Sequence, residues 1–153
     1  WLNGDFFNSL GSAEKAAIKQ VKIPYRKDGG SGGLNQSGAN GLLCKIFLLG
    51  GYEVGFTTND NSYFPVDGAK LSYFESGSGT SANNKRIANF NGSAGIWWLR
   101  SPYTNLTDQT WLVMPSGINS TGGTSTPFGI RPALILPSNA LFDKTTMLLK
   151  GVA

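Results

Sequence analysis

Two apolar runs constrain this chain more than any other feature. They are Trp97-Trp98-Leu99-Arg100-Ser101-Pro102, entered through Gly95-Ile96, and Phe128-Gly129-Ile130-Arg131-Pro132-Ala133-Leu134-Ile135-Leu136. Short apolar runs bounded by Gly and Pro read as buried strands. Each run carries one Arg within two residues of a proline. The stretch between them is rich in Asn, Thr, Ser and Gly, with isolated aromatics and no helical period. The pattern predicts two rigid strands framing a polar, loop-rich display surface. Such an arrangement points to a binding module rather than an enzyme.

Composition narrows the classes. The chain has 153 residues, enough for one domain with its own core. Apolar residues make up 40% and charged residues 14%, against roughly 25% charged in ordinary domains. Disorder is excluded by the apolar content. The polar surface must therefore be built from Asn, Ser, Thr and backbone. The net charge of +4 is scattered, and its densest groups, Lys15-Lys19-Lys22 and Arg26-Lys27, read as a solvated face. No basic stripe is interleaved with aromatics, so nucleic acid is not an expected partner. No apolar run approaches about 18 residues, so no membrane insertion is expected. The first residue is Trp1 rather than Met, and the chain reads as the C-terminal part of a longer protein.

The reactive side chains are few. There is no His, which removes Ser-His-Asp and Cys-His catalysis and Cys/His zinc sites within this chain. The one cysteine, Cys44, sits in an apolar run and reads as a core residue. Neither a metal nor a cofactor is expected. Asn59-Asp60-Asn61 reads as a turn, since the EF-hand spacing is absent. Gly29-Gly30-Ser31-Gly32-Gly33 lacks the phosphate-loop pattern and reads as a flexible loop. Asp60, Asp67, Glu75 and Asp108 are the carboxylates a hydrolase would need, but no spacing pairs them.

Along the chain, residues 1–10 and 12–20 predict two short helices meeting at Gly11, with Ser12 as the N-cap of the second. Val21 to Tyr25 predicts a strand ended by Pro24, and Leu42 to Leu49 a buried strand. Residues 68–90 read as a surface excursion. Further strands are expected near 95–101, 110–114, 117–119, 128–136 and 145–150, with a turn at Met114-Pro115-Ser116-Gly117. The fold class is α+β.

The opening Trp1-Leu2-Asn3 segment, the Ser12-Ala13-Glu14-Lys15-Ala16-Ala17-Ile18 helix and the Lys45-Ile46-Phe47-Leu48-Leu49 strand precede the two closing motifs, WWLRSP and GIRPAL. In that order they resemble bacterial and phage domains of the C-type lectin-like fold, in the formylglycine-generating-enzyme-like branch. The resemblance spans nearly the whole chain. It implies a single C-type lectin-like domain over 1–153, with two short N-terminal helices and a small, mostly antiparallel, loop-rich sheet. It also implies a place on a phage tail, a virion or a bacterial surface, outside the cell. Relatives include variable proteins of diversity-generating retroelements, whose variable ligand-binding surface lies around the closing motifs. The oxidase relatives use cysteines near their cleft, and animal lectins use EPN or WND calcium motifs. This chain has neither, so neither activity is carried over.

The expected function is therefore non-catalytic display, binding a host or bacterial surface protein or glycan through about 103–125. The expected ligand-binding residues are Tyr103, Thr104, Asn105, Thr107, Gln109, Trp111, Ser116, Asn119, Ser120 and Thr121. Tyr103 and Trp111 are the expected anchors, since amphipathic aromatics among small hydrogen-bonding residues suit a paratope. Trp97, Trp98, Arg100 and Arg131 are assigned to the scaffold: one Trp to the core, the other to a second layer, and the two Arg to backbone carbonyls. The competing expectation is a structural module of a virion or fibre, with homo-oligomeric contacts through the same surface.

Overall fold

A computed structural model describes residues 1–26, 35–56, 67–75, 80–103, 106–146 and 148–152, the side chains of 35, 75 and 80–82 aside. The fold is α+β and mostly β, with few short helices and several small antiparallel sheets. A π-helical turn over Leu2–Phe6 runs into α1 (Phe7–Ser9), and α2 (Ser12–Ala17) follows. Gly11, not Ser12, is the cap of α2, and Ser12 is already its first helical residue. The Glu14 carboxylate folds back over Gly11, to 2.3 Å from where a side chain there would begin.

Strand β1 (Val21–Ile23) stops at Pro24, which has no N–H for a ladder. It is followed by β2 (Tyr25–Arg26), which pairs with β3 (Asn35–Gln36). The expected single strand over 42–49 is instead two: β4 (Leu42–Cys44) pairs with β1, and β5 (Ile46–Leu48) pairs with β11 (Pro132–Leu134). Asn3 causes the break. Its Oδ1 accepts from the N–H of both Lys45 and Ile46, and its Nδ2 donates to Ile46 O. Those backbone groups are thereby removed from any continuous ladder. Leu42 and Leu43 are exposed, so only the Cys44 end of β4 is core.

The expected excursion over 68–90 contains α3 (Ser72–Glu75), α4 (Thr80–Arg86) and β6 (Ala88–Phe90), which pairs with β7 (Ser93–Gly95). Phe74 and Arg86 on it are buried. The central sheet has the order β10-β9-β8, from β8 (Trp97–Pro102), β9 (Gln109–Val113) and β10 (Asn119–Gly123). The chain ends in the hairpin β12 (Ala140–Phe142) and β13 (Leu149–Val152).

The main core gathers Val54, Phe56, Phe74, Trp97, Leu99, Trp111 and Val113. A second cluster holds Ile23, Cys44 and Phe47, and Leu49 packs against both. The two closing motifs meet directly. Gly129 N donates to Ile96 O, Trp98 N donates to Gly129 O, and Trp97 and Gly129 form a parallel bridge. A side-chain carbon at Gly129 would lie 2.8 Å from Ile96 O, so the approach needs glycine.

Candidate functional site

The strand carrying WWLRSP builds an ionic centre inside the protein. Pairing of β8 with β9 shifts register between Trp98 and Pro102. Residues 99–101 leave the ladder, and Arg100 N donates to Leu49 O instead. The Arg100 guanidinium donates to the carbonyls of Leu48 and Asp67 and pairs with both oxygens of Glu53 at 3.1 Å. Glu53 Oε2 also accepts from Gly50 N at 2.8 Å. Ser101 Oγ donates to Asp67 Oδ2 at 2.6 Å and accepts from Gly51 N at 2.8 Å. One Arg and one Ser thereby tie together loop 48–53, residues 67–68 and β8.

Two glycines make room for this centre. A side chain at Gly50 would fall 2.4 Å from Asp67 Oδ1, and one at Gly68 would fall 2.2 Å from Glu53 Oε1. Asp67 is 1% exposed, and its Oδ1 has no partner among the described residues. Burial pushes its carboxyl above the ordinary range. The Ser101 hydrogen bond and the Arg100 charge oppose that rise, and the Glu53 charge adds to it. Glu53 also lines an apolar cleft of about 600 Å³ between Val21–Pro24 and Pro132–Ile135, floored by Phe47 and Leu49. The pair found in space is therefore Glu53 with Asp67. Both carboxylates are held by scaffold groups. Of the other carboxylates weighed for hydrolysis, Asp108 is exposed, while Asp60 and the Glu75 side chain lie outside the described residues.

The other scaffold residues divide by strand alternation. Trp97 faces the main core and its Nε1 donates to Arg86 O at 2.9 Å. Trp98 faces the opposite side, against Phe128 at 5.1 Å between ring centres. Arg131 departs from expectation. Its guanidinium lies 5.1 Å from the Trp97 ring centre and 5.8 Å from that of Phe74, and Nη1 has no hydrogen-bond partner among the described residues. Ring stacking, not carbonyl bonding, holds it. Arg86, which sequence reasoning missed, does the carbonyl work. It donates to Val54 O and Gly55 O, and to Asn83 Oδ1, over the Phe56 ring.

The described members of the expected ligand-binding set lie on the β9–β10 hairpin or just before it, and they do not form one patch. Trp111 is a correction. It is 7% exposed and belongs to the main core, because its side chain shares a sheet face with Val113 and Trp97. Tyr103 is half-buried and meets Trp111 edge-on at 5.3 Å. Thr104 and Asn105 lie outside the described residues. Thr107 is exposed and Gln109 half-buried at one end of the hairpin. There Tyr103 N donates to Gln109 O, and Thr124 N to Asp108 O. The second of these bonds ties loop 106–108 to loop 124–126, where Leu106, Thr107, Asp108, Thr124 and Ser125 are exposed. Ser116 is exposed at the opposite end, in the turn closed by Gly117 N to Met114 O. Asn119, Ser120 and Thr121 are half-buried along the edge strand between the two ends.

Residues 1–138 match the family described as a domain of unknown function (DUF6273). The chain belongs to the DUF6273 family. Both closing motifs, the ionic centre and the β9–β10 hairpin of this DUF6273 domain lie inside the matched span, and β12 and β13 lie beyond it. No curated protein and no solved structure matches the chain.

Proposed function

We propose that this DUF6273 domain is a non-catalytic display domain of C-type lectin-like architecture, carried on a phage tail, a virion or a bacterial surface. In this reading it binds a surface protein or glycan outside the cell. The order of its elements supports the architecture: two short N-terminal helices, then a WWLRSP strand locked to a GIRPAL segment through Gly129. One observation carries the binding reading. The exposed loops 106–108 and 124–126 are joined by the Asp108–Thr124 hydrogen bond and stand on a sheet whose interior is Trp97, Leu99, Trp111 and Val113. A stiff apolar platform that presents small hydroxyl side chains beside Leu106 and Asp108 is preorganised for recognition.

The test is binding of the labelled chain to intact bacterial cells and to an array of bacterial surface glycans. The combined variant Thr107→Ala/Gln109→Ala/Thr124→Ala/Ser125→Ala is expected to melt with the parent and to bind at least about tenfold more weakly. Parent binding that survives in the variant, or no binding to either probe, would overturn this site.

A further inference from the structure

The outer edge of β10 has no partner strand among the described residues, and its hydrogen-bonding groups can be assigned. Met114 N donates to Ile118 O and Thr124 N to Asp108 O. These bonds share the register that sets Ser120 opposite Leu112 and Gly122 opposite Thr110. In an antiparallel pair the bonded residues alternate. Ile118, Ser120, Gly122 and Thr124 therefore turn their backbone groups to β9. Asn119, Thr121 and Gly123 turn theirs outward. Gly123 O is used by Thr126 N. The N–H and C=O of Asn119 and Thr121 have no hydrogen-bond partner among the described residues.

Edge strands are usually guarded by Lys, Pro or a bulge. This one, Asn-Ser-Thr-Gly-Gly, has none of them. No charged residue occurs from Gln109 to Ile130. Two copies could approach along this edge without like-charge repulsion.

We infer that β10 pairs antiparallel with β10 of a second copy, about a two-fold axis at Ser120. That register is the one in which Asn119 of each copy exchanges both backbone bonds with Thr121 of the other, so the open groups of both residues close at once. It sets Ile118, 48% exposed, beside Gly122 of the second copy. The absent Gly122 side chain leaves that position flat. A side chain there would meet Trp98 and Leu112 at 3.0 Å and Phe128 at 3.4 Å. An exposed apolar residue thus gains an apolar neighbour at the same step. The pairing joins two three-stranded sheets into one and sets Thr124 of each copy opposite Ser116 of the other, at the end of the contact. Its test reads mass and does not depend on what loops 106–108 and 124–126 bind.

Sedimentation velocity at about 100 µM chain, enough to populate a dimer of micromolar Kd, reads the outcome directly. The parent is expected at twice the 16.3 kDa chain mass. Thr121→Pro removes an N–H that the fold does not use, and is expected to sediment as a monomer with an unchanged melting temperature. Ser120→Glu and Ser120→Lys each put like charges face to face on the axis and are expected to be monomers. Mixed one to one, they are expected to restore the dimer. The charge pair decides the question even where the proline variant fails to fold. A monomeric parent would leave the edge to a foreign strand and overturn the proposal. So would a dimer that survives Thr121→Pro, or a mixture of the charge variants that stays monomeric.

Discussion

At the scale of single residues, Arg100 holds the ionic centre together. It meets Glu53 and the carbonyls of Leu48 and Asp67 while almost fully buried. Truncation leaves a buried carboxylate without its cation and two carbonyls without donors. Arg100→Ala is expected to cost about 3–5 kcal/mol in urea unfolding. Lysine lacks the planar fork, so Arg100→Lys is expected to recover only part of that loss. Asp67 makes a prediction in pH. Its folded carboxyl titrates above the ordinary 3.8, so the native state holds a proton that the unfolded chain gives up. The folded state therefore loses stability as pH rises from 3.8 through the raised value. Asp67→Asn does not ionise and escapes that loss. The variant's unfolding free energy relative to the parent is expected to be more favourable at pH 7 than at pH 3.5. A difference that is flat or reversed across this range would remove the assignment. Asp143 acts in the opposite sense. Backbone N–H donors of Thr146 and Thr145, with Lys150, lower it to about 2, so its contribution is present above 3.8 and lost as pH falls toward 2. The presence of Arg100 in a scaffold role is readable from its place beside a proline in an apolar run. Its partners are not, because Glu53 and Asp67 lie 47 and 33 residues away.

At the scale of elements, the hairpin between β9 and β10 is set by its turn and by what the turn touches. Gly117 has φ +80° and sits against helix α4, where a side-chain carbon would fall 2.0 Å from Asn83 O. Gly92, in the β6–β7 turn, has φ +81° and open space around it. Gly92→Ala is expected to cost about 1 kcal/mol, the backbone term alone. Gly117→Ala is expected to cost about 3 kcal/mol or more, because a backbone carbonyl must also move. Equal losses in the two thermal melts would mean that the α4 contact gives way easily. Trp111 offers a second test on the same hairpin. As a core residue, Trp111→Ala is expected to lose about 3–5 kcal/mol, whereas Thr107→Ala and Thr124→Ala stay within about 0.5 kcal/mol. The turn at Met114–Gly117 is legible from its proline and glycine. The burial of Trp111 is not, since a single aromatic among polar residues has no sequence mark that tells an inward strand position from an outward one. The split of 42–49 was hidden for another reason: it is imposed by Asn3, 42 residues earlier in the chain.

At the scale of the whole molecule, small sheets are joined by a few non-local locks rather than by one long ladder. The Asn3 clamp holds the N-terminal helices to β5, the Arg100 centre holds loop 48–53 and residues 67–68 to β8, and Gly129 holds the second closing motif to the first. Gly129→Ala tests the last of these. With Ile96 O only 2.8 Å from the added carbon, it is expected to cost about 1–3 kcal/mol in urea unfolding. A neutral result would show that the Trp97–Gly129 bridge can open without loss. The low charge and the glycine-rich polar stretch predicted a loop-rich chain, and apolar spacing on either side of Gly11 predicted short helices at its start. Apolar alternation and Gly/Pro punctuation are local signals, and they determined where most strands lie, that the two Trp of WWLRSP point to opposite sides, and that a turn closes near Gly117. Which carboxylates meet Arg100, which aromatic of the hairpin turns inward, and that Arg131 stacks on rings while Arg86 takes the carbonyls were decided only by the tertiary structure. Each of these depends on groups brought together from distant parts of the chain, and no local period encodes that distance.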